Sequence, residues 1–372
     1  MKSRFALETA VLDAWKRTGV PGVAAALRVG AETTFAAAGV RSLETEEPVA
    51  LDTPFRIASV TKPFTATLAE QCIPLDARVR ALLSHTAGLR CEAPEPLPPG
   101  AKGLWSYSNA GYWQVGAACA AAAGSSFEDA MRVHVLEPLE LRSTSFDEPV
   151  APARGHVQQG ESGHRAVPVE AYPVWRRPSG GLWSTVGDLV RFGSHHLDGA
   201  PDTLHEPQAE ALGGRYALGW WVRELAGGAN AWDHEGSTAG YQSLLLVVPD
   251  ETLVLAVLTN SWRGSGLIRR VVESLGLVPR PLGARHPLED VAGAYALDNA
   301  EAVVEESADG LRVSESEIDP VTGAIATRRY PARPLGGDVY CFARGVLVSH
   351  RLDFPRDGFA RIGWVALPRI AP

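Results

Sequence analysis

The residues with the clearest chemical potential are Ser59 and Lys62, which form an S-x-x-K pattern within the segment Arg56–Ala66. If a helix begins at Ser59, the two side chains lie one turn apart on the same face, with Cβ atoms about 5–6 Å apart. A serine hydroxyl becomes a strong nucleophile when a base takes its proton, and a lysine can be that base only while it is neutral. The pattern therefore predicts a nucleophilic serine beside an amine base, at a helix amino terminus that favours an oxyanion.

The S-x-x-K pattern alone is weak evidence, because a surface lysine on an ordinary helix gives the same spacing. Two further polar motifs follow it along the chain. The first, Tyr107–Asn109, precedes a helical stretch, and the second, His234–Gly236, ends a strand pattern. The three motifs in this order strengthen the hypothesis of a catalytic serine.

In this order the motifs resemble those of the serine β-lactamase-like and penicillin-binding-protein-like hydrolases, the group of class C β-lactamases, D-aminopeptidases and family VIII carboxylesterases. Leu82–Leu89 is similar to the LLSHTSGL segment of that family, and Pro178–Leu189 to its glycine pair, serine-threonine and helix start. Gly240–Tyr241 and Leu258–Asn260 also fit. The resemblance covers about Ala6 to Leu275.

The resemblance implies a role for each matching residue. Ser59 would form the acyl-enzyme, and Lys62 and Tyr107 would share the work of the base. Asn109 would hold Lys62 and the substrate amide, while the backbone N–H groups of Ser59 and Ser237 would form the oxyanion hole. Because Lys62 and Tyr107 would titrate as a coupled pair, the choice between a neutral lysine and a tyrosinate stays open.

His234 stands at a position where β-lactamases and D-Ala-D-Ala peptidases usually have a lysine that helps to bind the substrate carboxylate. The resemblance here is to D-aminopeptidases and to some esterases of the group. An imidazole is largely uncharged at neutral pH, with an ordinary pKa of about 6.5. The resemblance implies that His234 is a catalytic residue and that Glu235 and Gly236 contact substrate. Because the imidazole is largely uncharged, we do not expect strong β-lactamase activity.

Apolar periodicity predicts the elements that must position these residues. Helices are expected after Ser59 and at 6–17, 109–123, 126–136, 185–196 and 267–275. Strands are expected at 23–29, 33–38, 216–224, 231–235, 243–248 and 252–259. A hairpin, a helical excursion and a run of antiparallel strands predict an α/β (α+β) fold of the β-lactamase/transpeptidase-like kind, with an antiparallel sheet flanked by helices and an all-helical subdomain.

Three regions are expected along the chain. Residues 1–276 form the hydrolase domain, and the Pro- and Gly-containing stretch 277–285 is a linker. Residues 286–372 show short alternating runs separated by turns, which predict a small β domain without chemistry of its own. That last region resembles the lipocalin-like β-barrel appended to D-aminopeptidases and related hydrolases.

The composition and net charge indicate which classes of partner the protein can bind. A chain of 372 residues, 45% hydrophobic and 21% charged, can bury a full globular core. Its formal net charge of −8 favours neither nucleic acid nor an anionic membrane as a partner. The sequence contains no HExxH or Cys/His ligand motif, no signal-peptide core and no long apolar run. We expect a cytoplasmic protein without metal or cofactor that acts on a small molecule or peptide, in an undetermined oligomeric state.

Three functions are compatible with these patterns. The first is hydrolysis of an ester, a small amide or a D-amino-acid peptide. The second is acyl transfer or peptide cyclisation, as by a thioesterase, in which an amine or alcohol replaces water, and nothing in the sequence separates it from the first. The third is a binding module without turnover, against which the set Ser59, Lys62, Tyr107, Asn109 and His234 argues.

Overall fold

A computed structural model gives the architecture of the chain, with helices and strands close to the expected positions. It describes residues 4–101, 103–159, 163–168, 172–212, 214–280, 292–297, 300–307, 310–318, 325–336, 339–341, 351–356, 359–362 and 365–371. The described helices are α1 (Arg4–Thr18), α2 (Thr61–Cys72), α3 (Ala77–Leu83), α4 (Asn109–Ala123), α5 (Phe127–Met131), α6 (Arg177–Gly180), α7 (Val186–Asp198) and α8 (Gly264–Ser274).

The strands up to β12 are interspersed with these helices, and the strands after α8 follow one another directly. They are β1 (Gly22–Val29), β2 (Glu32–Gly39), β3 (Phe55–Arg56), β4 (His156–Gln159), β5 (Gly163–Ala166), β6 (Trp183–Ser184), β7 (Ala209–Ala211), β8 (Gly214–Tyr216), β9 (Trp221–Glu224), β10 (Asn230–Thr238), β11 (Tyr241–Val248), β12 (Leu253–Thr259), β13 (Gly293–Leu297), β14 (Ala300–Ser307), β15 (Gly310–Ile318), β16 (Ile325–Gly336), β17 (Val339–Cys341), β18 (Arg351–Arg356), β19 (Phe359–Ile362) and β20 (Val365–Ala371).

The main sheet has eight strands in the order β2-β1-β12-β11-β10-β9-β8-β7. Its central strands are buried on both faces, as their nearly continuous Val, Leu and Ala content requires. Leu7 of α1 and Leu267 of α8 belong to one core cluster with Leu255 and Val257 of β12. An antiparallel sheet flanked by helices is the expected fold, and the fold class is confirmed.

Helix α7 packs on the other side of this sheet, where Gly193 lies against Val254 and Leu245. Helix α2 packs against α4 and α6, and its first nine residues are buried. Thr185 caps α7, since its side chain accepts a hydrogen bond from the backbone N–H of Asp188 at 3.3 Å. This arrangement brings the amino terminus of α2 close to β10.

Two elements differ from expectation. The strand expected at 216–224 is interrupted, because Gly219 takes a φ of +86° and a Cβ there would lie 3.2 Å from the carbonyl oxygen of Lys62. The helix expected at 126–136 is α5 followed by a π-helical turn at Arg132–Leu136. Sequence periodicity does not distinguish such a turn from the α-helix that it extends.

The chain divides into two compact units, of which the second comprises residues 85–108, 209–215 and 281–372. Strands β13 to β20 of this unit form a closed barrel in which each strand pairs with its neighbour in sequence. The buried side chains Tyr295 and Val313 form one cluster with Leu97 and Leu104. The barrel therefore shares its packing with a segment far away in sequence.

The expected boundaries at 276 and 286 stay predictions, as does the lipocalin-like character of the barrel. Residues 281–285 of the expected linker lie outside the described residues. None of the helices within the described ranges combines the length and apolar character needed to cross a membrane.

Candidate active site

Ser59 lies in a 3₁₀ turn, Ala58–Val60, that leads directly into α2. The preceding residue, Ala58, has a φ of +46°, which residues with a Cβ seldom adopt. Backbone strain of this kind is concentrated at functional sites, where surrounding contacts hold it. Here the N–H of Ile57 donates to the carbonyl of Leu182 at 3.0 Å. The turn thus presents Ser59, which is half-buried, at the amino end of a buried helix.

Lys62 is fully buried, and its amine contacts three oxygens. The Nζ atom lies 3.3 Å from Ser59 Oγ, 2.7 Å from Asn109 Oδ1 and 2.7 Å from the carbonyl oxygen of Ser179. An amide oxygen and a carbonyl can only accept, so the amine donates one hydrogen to each of them. The third position on the nitrogen faces Ser59 Oγ.

The two short contacts of Lys62 come from separate helices. Asn109 is the first residue of α4, and Ser179 belongs to α6. Helix α6 is tied to α2 because Thr65 Oγ1 donates to the carbonyl of Pro178 at 2.8 Å. Packing among these three helices therefore fixes where the lysine amine points.

Strand β10 supplies the third motif next to the turn that carries Ser59. A Cβ at residue 236 would lie 2.2 Å from the carbonyl oxygen of Ile57, so only glycine allows this approach. Ser243 Oγ donates to the same carbonyl at 2.7 Å. Ser237 follows on the exposed end of β10, where Gln242 Nε2 donates to its hydroxyl at 2.8 Å.

His234 is buried, and both of its ring nitrogens are engaged. Nδ1 lies 2.7 Å from the carbonyl of Glu235, which can only accept, so Nδ1 carries a hydrogen. Burial and then the charge of Lys62 lower the pKa of His234 to about 3. The neutral ring leaves Nε2 as an acceptor, 3.1 Å from the hydroxyl of Tyr216. His234 is therefore an uncharged residue with no free donor.

Tyr216 was not expected at the site. Its hydroxyl donates to His234 and also contacts Tyr112, whose own hydroxyl donates to the carbonyl of Leu83 at 2.7 Å. The ring of Tyr112 lies 5.3 Å from Lys62 Nζ, and burial raises the pKa of this tyrosine. An aromatic residue in a strand pattern usually indicates packing, so the sequence contains no signal for Tyr216.

Tyr107 belongs to the second unit, where it is buried. The rings of His85 and Tyr107 have centroids 4.3 Å apart. His85 Nδ1 accepts from the N–H of Ser108 at 3.1 Å, and its carbonyl accepts from the N–H of Ser106 at 2.9 Å. His85 thus holds the backbone on both sides of Tyr107, while the sharing of base work between Tyr107 and Lys62 stays a prediction.

The structure brings Ser59 and Asn109 each within hydrogen-bond distance of Lys62 and places His234 to Ser237 on the strand beside the turn that carries Ser59. Ser179 joins them through its backbone carbonyl, and the matched segment Pro178–Leu189 was the signal that could have found it. Across the described ranges, His, Cys, Asp and Glu side chains form no group of three or more that could hold a metal ion.

Comparison with solved structures shows the same fold in other proteins. SurE superimposes with a TM-score of 0.76 at 24% identity over 99% of both chains. A structure of SurE with D-Leu gives a TM-score of 0.74 at 24% identity, also over 99% of both chains. A D-stereospecific amidohydrolase from Streptomyces sp. gives 0.61 at 23% identity over 73% of this chain and 98% of that chain.

Sequence comparison gives the family. Penicillin-binding protein 4 of Amycolatopsis lactamdurans is 28% identical over 311 residues, which is 65% of this chain and 81% of that protein. The family model described as Beta-lactamase matches residues 7–74 and 75–272, well over half of the chain. With the S-x-x-K contact geometry and the antiparallel sheet already described, this match shows that the chain belongs to the β-lactamase family.

Proposed function

We propose that the protein is a serine hydrolase that forms an acyl-enzyme on Ser59. Membership of the β-lactamase family supports serine-type hydrolase activity. The observation that carries the finer proposal is the position of Lys62 Nζ, 3.3 Å from Ser59 Oγ and held by two short hydrogen bonds to acceptors. This is the relation between a nucleophile and an oriented base that acyl transfer requires.

In the proposed reaction, Ser59 Oγ attacks the substrate carbonyl carbon and its proton passes to the lone pair of Lys62. The negative charge that develops on the carbonyl oxygen is held by the backbone N–H groups of Ser59 and Ser237. The bond to the leaving group then breaks as Lys62 returns the proton to it. Water attacks the ester on Ser59 by the same route, which releases the acid and restores the serine. Tyr107 shares the proton transfer in this proposal.

The proposed substrates are esters, small amides or D-amino-acid derivatives. His234 offers no positive charge to a substrate carboxylate, which favours neutral groups over the carboxylate of a β-lactam. The D-amino-acid candidate is supported by two similar structures, one of SurE with D-Leu and one of a D-stereospecific amidohydrolase. Comparing D-leucine and L-leucine p-nitroanilides tests it, and a higher kcat/KM for the L-isomer would exclude it.

Labelling with a fluorophosphonate tests the nucleophile directly. We expect one phosphonyl adduct that maps by mass spectrometry to the peptide containing Ser59, and none in Ser59→Ala. Ser125→Ala, which removes an exposed hydroxyl outside the site, is the matched control and should label normally. An adduct on Ser84 or Ser108 would overturn the assignment.

A further inference from the structure

Three aromatic side chains surround the guanidinium group of Arg176, and one of them, Trp175, is exposed while the others are half-buried. Trp113 of α4 and Trp175 pack edge to face with ring centroids 4.5 Å apart. The guanidinium carbon of Arg176 lies 5.7 Å from the ring centroids of both tryptophans and 5.8 Å from that of Tyr172. Contacts at this distance are cation–π interactions, which hold the rings in a fixed arrangement. We call Trp113, Tyr172, Trp175 and Arg176 the aromatic wall.

The aromatic wall touches the candidate site through Ser179. Trp113 Nε1 donates to Ser179 Oγ at 3.0 Å, and the carbonyl oxygen of the same serine accepts from Lys62 Nζ at 2.7 Å. One residue therefore links an indole of the wall to the amine of the proposed base.

A second connection runs through Tyr172. A Cβ at residue 180 would lie 2.9 Å from the Tyr172 hydroxyl oxygen and 3.6 Å from the carbonyl carbon of Ala58, the residue before the nucleophile. Tyr172 thus stands beside the strained turn that presents Ser59. The aromatic wall is therefore linked to the turn that carries Ser59 through Gly180, and to Lys62 through Ser179.

Trp175 is far more exposed than the tryptophans of the core. Trp105, Trp183, Trp220 and Trp221 are at most 1% exposed, whereas Trp175 is 60% exposed. An indole carries a large apolar surface, and covering it with another apolar group is favourable. Packing with Trp113 already holds Trp175 in place, so a ligand that covers it loses little conformational freedom on the protein side.

We propose that the aromatic wall is a specificity subsite that binds an aromatic or bulky apolar group of the substrate next to the scissile bond. The inference rests on the proposed acyl-enzyme function at Ser59. That group belongs either to the acyl part or to the leaving group, since the wall contacts Ser179 and only Gly180 separates Tyr172 from the turn at Ala58. The chemistry of recognition, an apolar ring against indole and phenol, is the same in both cases.

Three matched thioesters test the proposal on the full chain, with the released thiol measured by a chromogenic thiol reagent. S-ethyl thioacetate is the reference, S-ethyl phenylthioacetate places a ring in the acyl part, and S-benzyl thioacetate places it in the leaving group. We expect kcat/KM for one of the two aromatic thioesters to exceed the reference by about three- to tenfold after correction for the uncatalysed rates. The preferred thioester identifies the side of the scissile bond that the wall covers.

Trp175→Ala should reduce this preference to less than about twofold, and Trp175→Phe should retain part of it. Val174→Ala is the matched control, because Val174 is 61% exposed in the same turn and lies outside the wall. Equal kcat/KM values for all three thioesters in the wild type, or an unchanged preference in Trp175→Ala, would overturn the subsite while leaving the acyl-enzyme in place. Absence of both turnover and fluorophosphonate labelling of Ser59 would instead overturn the proposed function, and the subsite with it.

Discussion

The contacts of Lys62 decide which of its atoms can take part in proton transfer. Asn109 Oδ1 and the carbonyl of Ser179 direct two hydrogens of the amine away from Ser59. Because a buried amine with fixed partners cannot rotate freely, the remaining position faces the hydroxyl. The orientation of the proposed base thus depends on two residues that do not themselves react.

A double-mutant cycle tests whether Lys62 and Tyr107 serve one proton transfer. Lys62→Ala and Tyr107→Phe should each lower the rate of fluorophosphonate labelling by about 10²–10⁴-fold, the range for general base catalysis. The double variant should lose far less than the product of the two effects, because both changes remove the same step. The measurement is the second-order rate constant by intact-protein mass spectrometry. Fully multiplicative losses would contradict a shared base.

His234 determines the charge of the third motif. Since His234 is neutral and engaged on both nitrogens, the wild-type protein should show little preference for substrates with a carboxylate beside the scissile bond. His234→Lys should recover part of the about 10–150-fold preference that a charged hydrogen bond provides. The measurement is kcat/KM for paired esters with and without the carboxylate. A wild-type ratio above about a hundred would contradict the idea.

Two arginines, Arg176 and Arg177, lie at the start of α6, the helix that contains Ser179. Arg177 forms an ion pair with Glu128 at 2.8 Å. Arg176 lies among the rings of the aromatic wall. If the wild type prefers the carboxylate, Arg176→Gln is the next variant to measure, because this guanidinium packs on Trp113, which donates to Ser179.

At the scale of elements, the site depends on how closely β10 approaches the turn before α2. Gly236→Ala would place a methyl group 2.2 Å from both the Ile57 carbonyl oxygen and Ser243 Oγ, so strand or turn must move. We expect a loss of about 1–3 kcal/mol in the free energy of unfolding. Fluorophosphonate labelling should fall by more than about tenfold, since small displacements at a reacting centre are costly.

The matched control is Gly266→Ala in α8, where an added Cβ meets no atom within 4 Å. This change should leave labelling unchanged and stabilise the helix slightly, by about 0.4–1 kcal/mol. Urea unfolding and labelling rates are measured on both variants. Normal labelling of Gly236→Ala would show that the contact between β10 and the turn is not needed for Ser59 reactivity.

At the scale of the whole molecule, buried neutral histidines make stability depend on pH. Burial lowers the pKa of His205 to about 3 and that of His196 well below its ordinary value. Their rings are hydrogen-bonded at 3.1 Å, and His196 Nε2 lies 3.2 Å from Thr67 Oγ1 on α2. Two rings that share one hydrogen bond cannot both be protonated without repulsion.

The direction of the pH effect follows from proton linkage. The folded pKa values lie below the unfolded value of about 6.5, so the unfolded chain binds protons first as the pH falls. The stability contribution is complete above about pH 6.5 and is lost toward pH 3. Between pH 7.5 and 5 the loss is at most about 2 kcal/mol for each such histidine. Urea unfolding at the two pH values measures it.

His205→Gln should reduce this pH dependence, while His134→Gln, at a half-buried position on the surface of the π-helical turn, should not. The comparison uses the difference between the two pH values within each variant, so a uniform loss of stability in His205→Gln does not affect it. Equal pH dependence in the wild type and in His205→Gln would contradict the role of this histidine.

Within the second unit, the barrel supports the segment that carries Tyr107. Leu97 and Leu104 pack in one cluster with barrel residues such as Tyr295, and Ser106 Oγ accepts from the N–H of Ala366 at 3.1 Å. A chain that ends at residue 283 loses these partners, so the segment that carries Tyr107 loses its packing. We expect Ser59 labelling to slow by about tenfold or more in the truncated protein. An unchanged labelling rate, in a truncated chain that circular dichroism shows to be folded, would mean that Ser59 reactivity does not require the barrel.

Local patterns in the sequence were sufficient for the fold class and for the main helices and strands. The S-x-x-K spacing and the periodicity of α2 and α4 depend on residues within a few positions of each other, and that is the range over which helix geometry acts. The hairpin β1–β2 and the strands β11 and β12 were also expected within one or two residues. Roles for the site residues came from a family resemblance, and they stay predictions.

Contacts between residues distant in sequence were decided by the tertiary structure alone. The carbonyl of Ser179 on Lys62, the hydroxyl of Tyr216 on His234, and the packing of residues 85–108 with the barrel each join elements separated by at least one intervening helix or strand. The apolar periodicity of the sequence does not predict such a pairing, because the pairing results from the packing of whole elements around a core. The aromatic wall is of the same kind, since Trp113 and Trp175 are 62 positions apart yet their ring centroids lie 4.5 Å apart.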